Sequence, residues 1–131
     1  MDRLFLDANV LFSAAYRPEA GLFRLWQLKD LVLCTSHYAL EEARVNLPEP
    51  HQLDRLIALT AGNVHFFDEI HGSLPPGISL PEKDVPIMLS AIGARATHLI
   101  TGDVRHFGAH CGKKIAGVLV LPPAEYLRRR A

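Results

Sequence analysis

Short apolar runs separated by longer segments with helical spacing organise this chain, and five of the runs predict β-strands. Several runs, such as residues 4–6 and 31–34, are continuously apolar and do not alternate with polar positions. Continuous apolar character is typical of strands that are covered on both faces of a sheet. The predicted strands are residues 4–6, 31–34, 64–67, 98–100 and 117–121.

The segments between these runs predict five α-helices, because their apolar residues recur at helical spacing. Ser36 is a suitable cap for the second helix, and Pro86 is tolerated in the first turn of the fourth. The Gly- and Pro-rich stretch 72–83 predicts one long loop. The predicted helices are residues 20–28, 36–47, 52–60, 84–96 and 124–130.

The alternation of strands and helices predicts the fold class and the place where function resides. Such alternation favours crossover connections and an open, mainly parallel sheet with helices on its faces. No repeat or linker interrupts the pattern, so we expect one domain over residues 1–131. In open α/β sheets, ligands bind beyond the carboxyl ends of the strands.

Composition excludes several classes of protein. Of 131 residues, 49% are hydrophobic, which argues against disorder, but no apolar run approaches the roughly 20 residues that span a membrane. Only two cysteines occur, and the first seven residues are too charged for a signal peptide, so we expect a cytoplasmic protein without disulfides. The 14 basic and 14 acidic side chains balance, so net charge does not favour nucleic acid.

Acidic residues stand at the positions that the predicted sheet would bring to one edge. Asp7 follows the first strand, Asp103 follows the fourth, and Asp84 and either Glu41 or Glu42 open helices. Carboxylates gathered in this way would repel one another unless a cation were bound. Oxygen ligands favour Mg²⁺ or Mn²⁺, and such ions activate water for attack on a phosphodiester.

Four segments in this order resemble the motifs of the PIN-domain family. In that family a strand delivers the first acid ahead of a helix, and a capping Ser precedes a glutamate of the metal site. The resemblance covers nearly the whole chain, which makes it far more specific than any one motif. The matching segments are LFLDANVL at 4–11, SHYALEE at 36–42, DVPIMLSA at 84–91 and HLITGDVRHF at 98–107.

The resemblance implies particular roles for particular residues. Asn9 and Thr101 would orient the carboxylates or contact phosphate, and His106, close after Asp103, is a candidate for contact with substrate. Glu42 is preferred to Glu41 because its distance from the capping serine fits the family pattern. The implied metal-site and catalytic quartet is Asp7, Glu42, Asp84 and Asp103.

The same resemblance implies a fold, an activity and partners. The fold would be a three-layer α/β/α PIN-like domain with a five-stranded, mainly parallel sheet. The activity would be that of a Mg²⁺- or Mn²⁺-dependent endoribonuclease that hydrolyses RNA phosphodiester bonds. Among small members the similarity points to VapC-like toxins of toxin–antitoxin pairs, with a cognate antitoxin protein as partner and a homodimer as the assembly.

Other interpretations explain part of the pattern. The family often adds an acid just after the position of Asp103, and its absence here leaves open a silent PIN-fold module that binds RNA or a protein. His106, His110 and Cys111 suggest zinc, but a matching second ligand pair is missing. A phospho-acceptor domain would pair two acids after the first strand, and a nucleotide-binding domain would need a Gly-rich phosphate loop. Singly, each acid has a structural explanation at a turn or helix start.

Overall fold

The computed structural model describes residues 1–19, 21–68 and 72–130, and the strands within these ranges form one mixed sheet. The strand order is β3-β2-β1-β4-β6-β5. All neighbours pair in parallel except β5 and β6, which pair antiparallel. The strands are β1 Asp2–Leu6, β2 Leu31–Thr35, β3 Val64–Phe66, β4 His98–Ile100, β5 Lys114–Ile115 and β6 Val118–Leu121.

Helices flank this sheet in the α/β/α arrangement that was predicted. Helix α1 packs against α3 and α4, and α5 contacts both α3 and β4. Short 3-10 turns cover Gly21–Phe23, Glu82–Asp84 and Gly108–His110. The helices are α1 Ala8–Tyr16, α2 Arg24–Gln27, α3 His37–Asn46, α4 Pro50–Thr60, α5 Val85–Gly93, α6 Val104–Phe107 and α7 Pro123–Arg130.

The sequence prediction of five strands was wrong by one, because the described sheet has six. The extra strand, β5, is only two residues long and turns directly into β6, so it carries no readable apolar period. Ala116 and Gly117 lie between the two strands, both with positive φ, which produces the tight reversal. The other five strands lie where the apolar runs predicted them.

The helices differ more from prediction than the strands do. Periodicity missed α1 and α6, although the family resemblance implied a helix after Asp7. Helix α5 ends at Gly93, before the predicted end at residue 96, because Arg95 adopts a left-handed φ of 56°. Ser36 caps α3 as expected, accepting a hydrogen bond from the Ala39 amide at 3.1 Å. Ala20, the first residue of one predicted helix, lies outside the described residues.

The apolar core lies on both faces of the central strand. Leu4, Phe5 and Leu6 of β1 are fully buried, which accounts for their continuous apolar character. No helix of the described residues has the length and apolarity that crossing a bilayer requires.

A partly buried polar contact connects the last helix to the first strand. The Tyr126 hydroxyl donates to Asp2 Oδ2 at 2.6 Å and accepts from Arg130 at 3.2 Å. Its ring lies edge-on to His98 of β4. These contacts hold the C-terminal helix across the amino ends of β1 and β4, away from the edge where the acids gather.

Tyr126→Phe is expected to lower the free energy of unfolding by about 1–2 kcal/mol, because a hydrogen bond to a carboxylate is lost. Tyr16→Phe is the matched control, since 39% of Tyr16 is exposed and loss of its hydroxyl should change stability little. Urea unfolding of both variants measures the difference. Equal stability of the two variants would show that the Tyr126 hydroxyl contributes nothing.

Candidate metal centre

The acidic residues meet at the point where the sheet reverses its strand order. On one side of β1 the neighbouring strands are β2 and then β3, and on the other side they are β4 and then β6. The carboxyl ends of β1 and β4 are therefore adjacent at this point. Ligands in open α/β folds bind at such a switch point.

Asp7 is the buried anchor of this crevice. The register that pairs Leu6 with Ile100 continues past the strand, since the Asp7 amide donates to the Ile100 carbonyl at 3.0 Å. Thr101 thus lies opposite Asp7, and its hydroxyl donates to Asp7 Oδ2 at 2.8 Å. The Ala8 amide donates to Asp7 Oδ1 at 2.6 Å, so Asp7 also caps α1. Asp7 is held in one orientation by both neighbours.

Asn9 links Asp7 to the loop after β4. Its amide nitrogen lies 3.2 Å from Asp7 Oδ2 and 3.3 Å from the Thr101 hydroxyl. Its side-chain oxygen accepts from the Gly102 amide at 2.8 Å. A Cβ on Gly102 would lie 3.3 Å from that oxygen, so a side chain there would press on this contact. The structure therefore places Asn9 and Thr101 directly behind the carboxylate.

Asp84, Asp103 and His106 form a second, tighter group. His106 Nδ1 lies 2.7 Å from Asp84 Oδ2 and 2.9 Å from Asp103 Oδ2. Asp103 also caps α6, since its Oδ1 accepts from the His106 amide at 3.1 Å. Among the described residues, these three are the set whose ligand atoms lie within 4.8 Å of one another.

The two adjacent glutamates face different surroundings. Glu42 lies in the cleft with Asp7 and is partly buried. Glu41 is exposed and pairs with Arg44 on the outer face of α3, with Arg44 Nε 2.8 Å from Glu41 Oε2. The structure thus brings Glu42, and not Glu41, to the other three acids.

One cleft of about 370 Å³ contains all four predicted acids. It also contains residues that the sequence reasoning did not select: Phe12, Asn46 and Lys83. The sequence could have indicated two of these residues. Phe12 stands four positions after Ala8 on α1, and Asn46 stands four positions after Glu42 on α3, so each lies on the same helix face as the earlier residue. Lys83 precedes Asp84 directly, and no periodic signal identified it.

Burial sets the electrostatics of the cleft. It raises the pKa of Asp7 to about 6, with smaller contributions from Asp84 and Glu42, and the bonds from Thr101 and Ala8 oppose the increase. Burial also raises the pKa of Asp84, against the lowering effects of His106 and Lys83. The protein thus holds carboxylates where their charge is costly, as expected of a site built for a cation.

The residues present fit a divalent cation. Asp84 Oδ2 and His106 Nδ1 are buried and lie 2.7 Å apart, but neither makes a well-aligned hydrogen bond. Buried polar atoms are rarely left unpaired, since this costs about 1–3 kcal/mol each. The carboxylates are donors that suit Mg²⁺ or Mn²⁺, and the imidazole is a nitrogen donor that first-row transition ions accept.

The alternative zinc set is not assembled. His106 faces Asp84 and Asp103, while His110 Nε2 lies 3.3 Å from the Ser79 carbonyl. Neither His110 nor Cys111 contributes to a candidate metal group within the described ranges. The sequence proximity of His106, His110 and Cys111 does not bring them together as ligands.

This architecture, a mainly parallel sheet between helices with acids at its switch point, is that of the PIN-like fold. A solved structure with the same fold is that of VapBC2 from Rickettsia felis bound to a DNA fragment from their promoter. The TM-score is 0.66 at 15% sequence identity, over 92% of this chain and 98% of the matched chain. No family model matches the sequence, and no curated protein matches it.

Asp7 generates a pH-dependent prediction for the metal-free protein. Its folded pKa lies above the unfolded value of 3.8, so the folded state holds the proton more tightly and stability falls as pH rises toward and past 6. Asp7→Asn carries no charge at any pH. In EDTA it should equal the wild type near pH 4 and be more stable by roughly 1–3 kcal/mol at pH 7.5.

Chemical unfolding of both proteins at several pH values between 4 and 7.5 measures this effect. The relevant quantity is the difference between the two proteins, because other titrating groups are common to both. A difference that stays constant with pH would contradict the buried, ionising Asp7.

Proposed function

We propose that this chain is a Mg²⁺- or Mn²⁺-dependent endoribonuclease of the VapC-like PIN type. The observation that carries the proposal is the gathering of Asp7, Glu42, Asp84 and Asp103 in one cleft at the switch point of the sheet. Two unpaired buried atoms, on Asp84 and His106, support a cation there. The motif resemblance supplies the reaction class, and the shared fold supports it.

In this proposal the residues of the chain have separate tasks. Asp84 and Asp103 hold the ion from the segments that follow β3 and β4, while Asp7 and Glu42 complete the acidic lining. Thr101 and Asn9 keep Asp7 in position. When bound, a divalent ion would acidify a water molecule and neutralise charge that develops on the phosphate.

Lys83 gives the cleft a cationic group beside the acids. Since the acids would be neutralised by the ion, a lysine at the same opening is suited to contact a phosphate oxygen of the RNA. This would position the backbone without reading its sequence. The carboxylates therefore serve the chemistry, and Lys83 serves the placement of substrate.

The decisive experiment is cleavage of labelled single-stranded and structured RNA by purified protein with Mg²⁺, Mn²⁺ or EDTA. Asp7→Asn, Asp103→Asn and Glu42→Gln are each expected to lower the rate by more than about 100-fold, since each removes a charge from the cation site. Glu41→Gln is the matched control, because Glu41 pairs with Arg44 outside the cleft.

Two results would contradict the nuclease proposal. Cleavage that persists equally in Asp7→Asn and Asp103→Asn would come from a contaminant. Ion binding by the wild type without cleavage of any RNA, including RNA captured by the protein from a total pool, would favour the silent module. The sequence after Asp103 is the reason for considering a catalytically silent module, because Val104, Arg105 and His106 stand where the family often has a further acid.

We propose further that the nuclease is the toxin of a toxin–antitoxin pair and that an antitoxin protein covers the acidic cleft. The structural neighbour is part of a VapBC2 complex, which supports a partner of this kind. Expression of the wild type should slow growth, and co-expression with the product of an adjacent small gene should restore it. Asp7→Asn should be harmless alone; equal toxicity of this variant would separate growth arrest from the cleft.

The homodimer implied by the resemblance remains a prediction for this chain. Light scattering of the purified chain, alone and with its partner, measures the assembly directly.

A further inference from the structure

His106 lies beside the cleft and contacts two of the acids that line it. Its Nδ1 points between two carboxylates, 2.7 Å from Asp84 Oδ2 and 2.9 Å from Asp103 Oδ2. Only 19% of its side chain is exposed. The two acids come from segments 19 residues apart in sequence, so the histidine joins separate parts of the chain at one point.

The backbone holds the ring in this position. The His106 amide donates to Asp103 Oδ1 at 3.1 Å, which fixes the first turn of α6 with His106 on the same side as its capping acid. The Asp103 amide in turn donates to the Thr101 hydroxyl at 3.1 Å. His106 is therefore connected through Asp103 and Thr101 to Asp7.

The contact of His106 with Asp84 lacks the alignment of a hydrogen-bonded ion pair. Asp84 is more than nine-tenths buried, and its Oδ2 lacks a hydrogen-bond partner, as does His106 Nδ1. An imidazolium that served as counter-ion would be expected to donate a well-aligned hydrogen bond to one carboxylate. Two acceptor atoms and one ring nitrogen that converge without such a bond are suited instead to share a cation.

We infer that His106 is a nitrogen ligand of the metal centre, and that it makes this site selective for a first-row transition ion over Mg²⁺. The inference rests on the proposed metal site and adds to it a ligand that the acidic quartet does not contain. The donor group is then Asp84, Asp103 and His106, whose ligand atoms lie within 4.8 Å of one another.

The selectivity follows from the nature of the ligands. Mg²⁺ prefers oxygen donors and gives up its waters reluctantly, so an imidazole in place of a carboxylate weakens its binding. First-row transition ions accept imidazole nitrogen readily, and Mn²⁺ is the member whose ligands can be read by electron paramagnetic resonance. A histidine in contact with two carboxylates therefore changes the preferred ion and leaves the fold unchanged.

The test uses the full chain with Mn²⁺ and Mg²⁺ as probes. Pulsed paramagnetic resonance of the Mn²⁺-loaded protein is expected to show coupling to a directly bound ¹⁴N nucleus, and His106→Gln should abolish it. His106→Gln should also weaken Mn²⁺ binding by about 10–100-fold while changing Mg²⁺ binding by less than about threefold. Calorimetric titration gives both affinities.

Two further variants test whether the effect depends on the nitrogen donor at position 106. His106→Asp replaces the nitrogen donor with an oxygen donor and should lower the preference for Mn²⁺ over Mg²⁺ by at least about tenfold. His110→Gln is the matched control, because this histidine lies on the next turn and faces the Ser79 carbonyl. It should leave the nitrogen coupling and both affinities unchanged. Thermal unfolding in EDTA verifies that each variant is folded.

The outcomes separate this inference from the nuclease proposal. Absence of nitrogen coupling in the wild type, or an unchanged ratio of Mn²⁺ to Mg²⁺ affinity in His106→Gln, would overturn the assignment even if RNA is cut. Stronger Mn²⁺ binding in His106→Gln would show that the histidine is a counter-ion that the metal must displace. Nitrogen coupling without RNA cleavage would support the ligand and refute the nuclease.

Discussion

The parallel pairing of β1 with β4 is the constraint on which the site depends. The two strands are far apart in the sequence, yet their register brings Asp7 opposite Thr101 at the shared carboxyl edge. A shift by one residue would turn the side chain of Asp7 to the opposite face and place an apolar residue at the crevice. The fully buried residues Leu4 to Leu6 prevent such a shift, because it would expose part of the core. Core packing therefore holds the functional register.

The buried carboxylates of the cleft lower the stability of the folded protein when no cation is bound. A carboxylate that is 97% buried, as Asp7 is, opposes folding at neutral pH unless a cation compensates its charge. The protein lowers this cost with the Thr101 hydroxyl and the Ala8 amide, but it leaves Asp84 Oδ2 without a hydrogen bond. A bound ion would satisfy that atom and stabilise the folded state, so ligand binding and stability are linked.

His106 changes which metal ion the cleft is expected to prefer. With acids alone, the site would be a general anionic pocket for hard ions, and ion identity would follow from availability. In the proposed site, His106 between Asp84 and Asp103 would introduce a softer donor with a fixed direction. Asp103 both contacts the ring and caps its helix, so the position of the nitrogen depends on the same residue that would contribute an oxygen. One short helix and its cap would thereby provide two of the proposed donors.

The local sequence pattern predicted most of the fold and the positions of the acidic residues. Tertiary packing decided which side chains are in contact. Asp7 and Asp103 could be predicted because each follows a buried apolar run, and strand ends are read from neighbouring residues. The contact of His106 with Asp84 could not be predicted, because it depends on how two loops pack across the sheet edge. The rotation of α3, which directs Glu42 inward and leaves Glu41 with Arg44, is likewise set by packing. Sequence periodicity records which positions are buried and where strands end, but it does not record the side-chain packing that brings particular distant residues into contact.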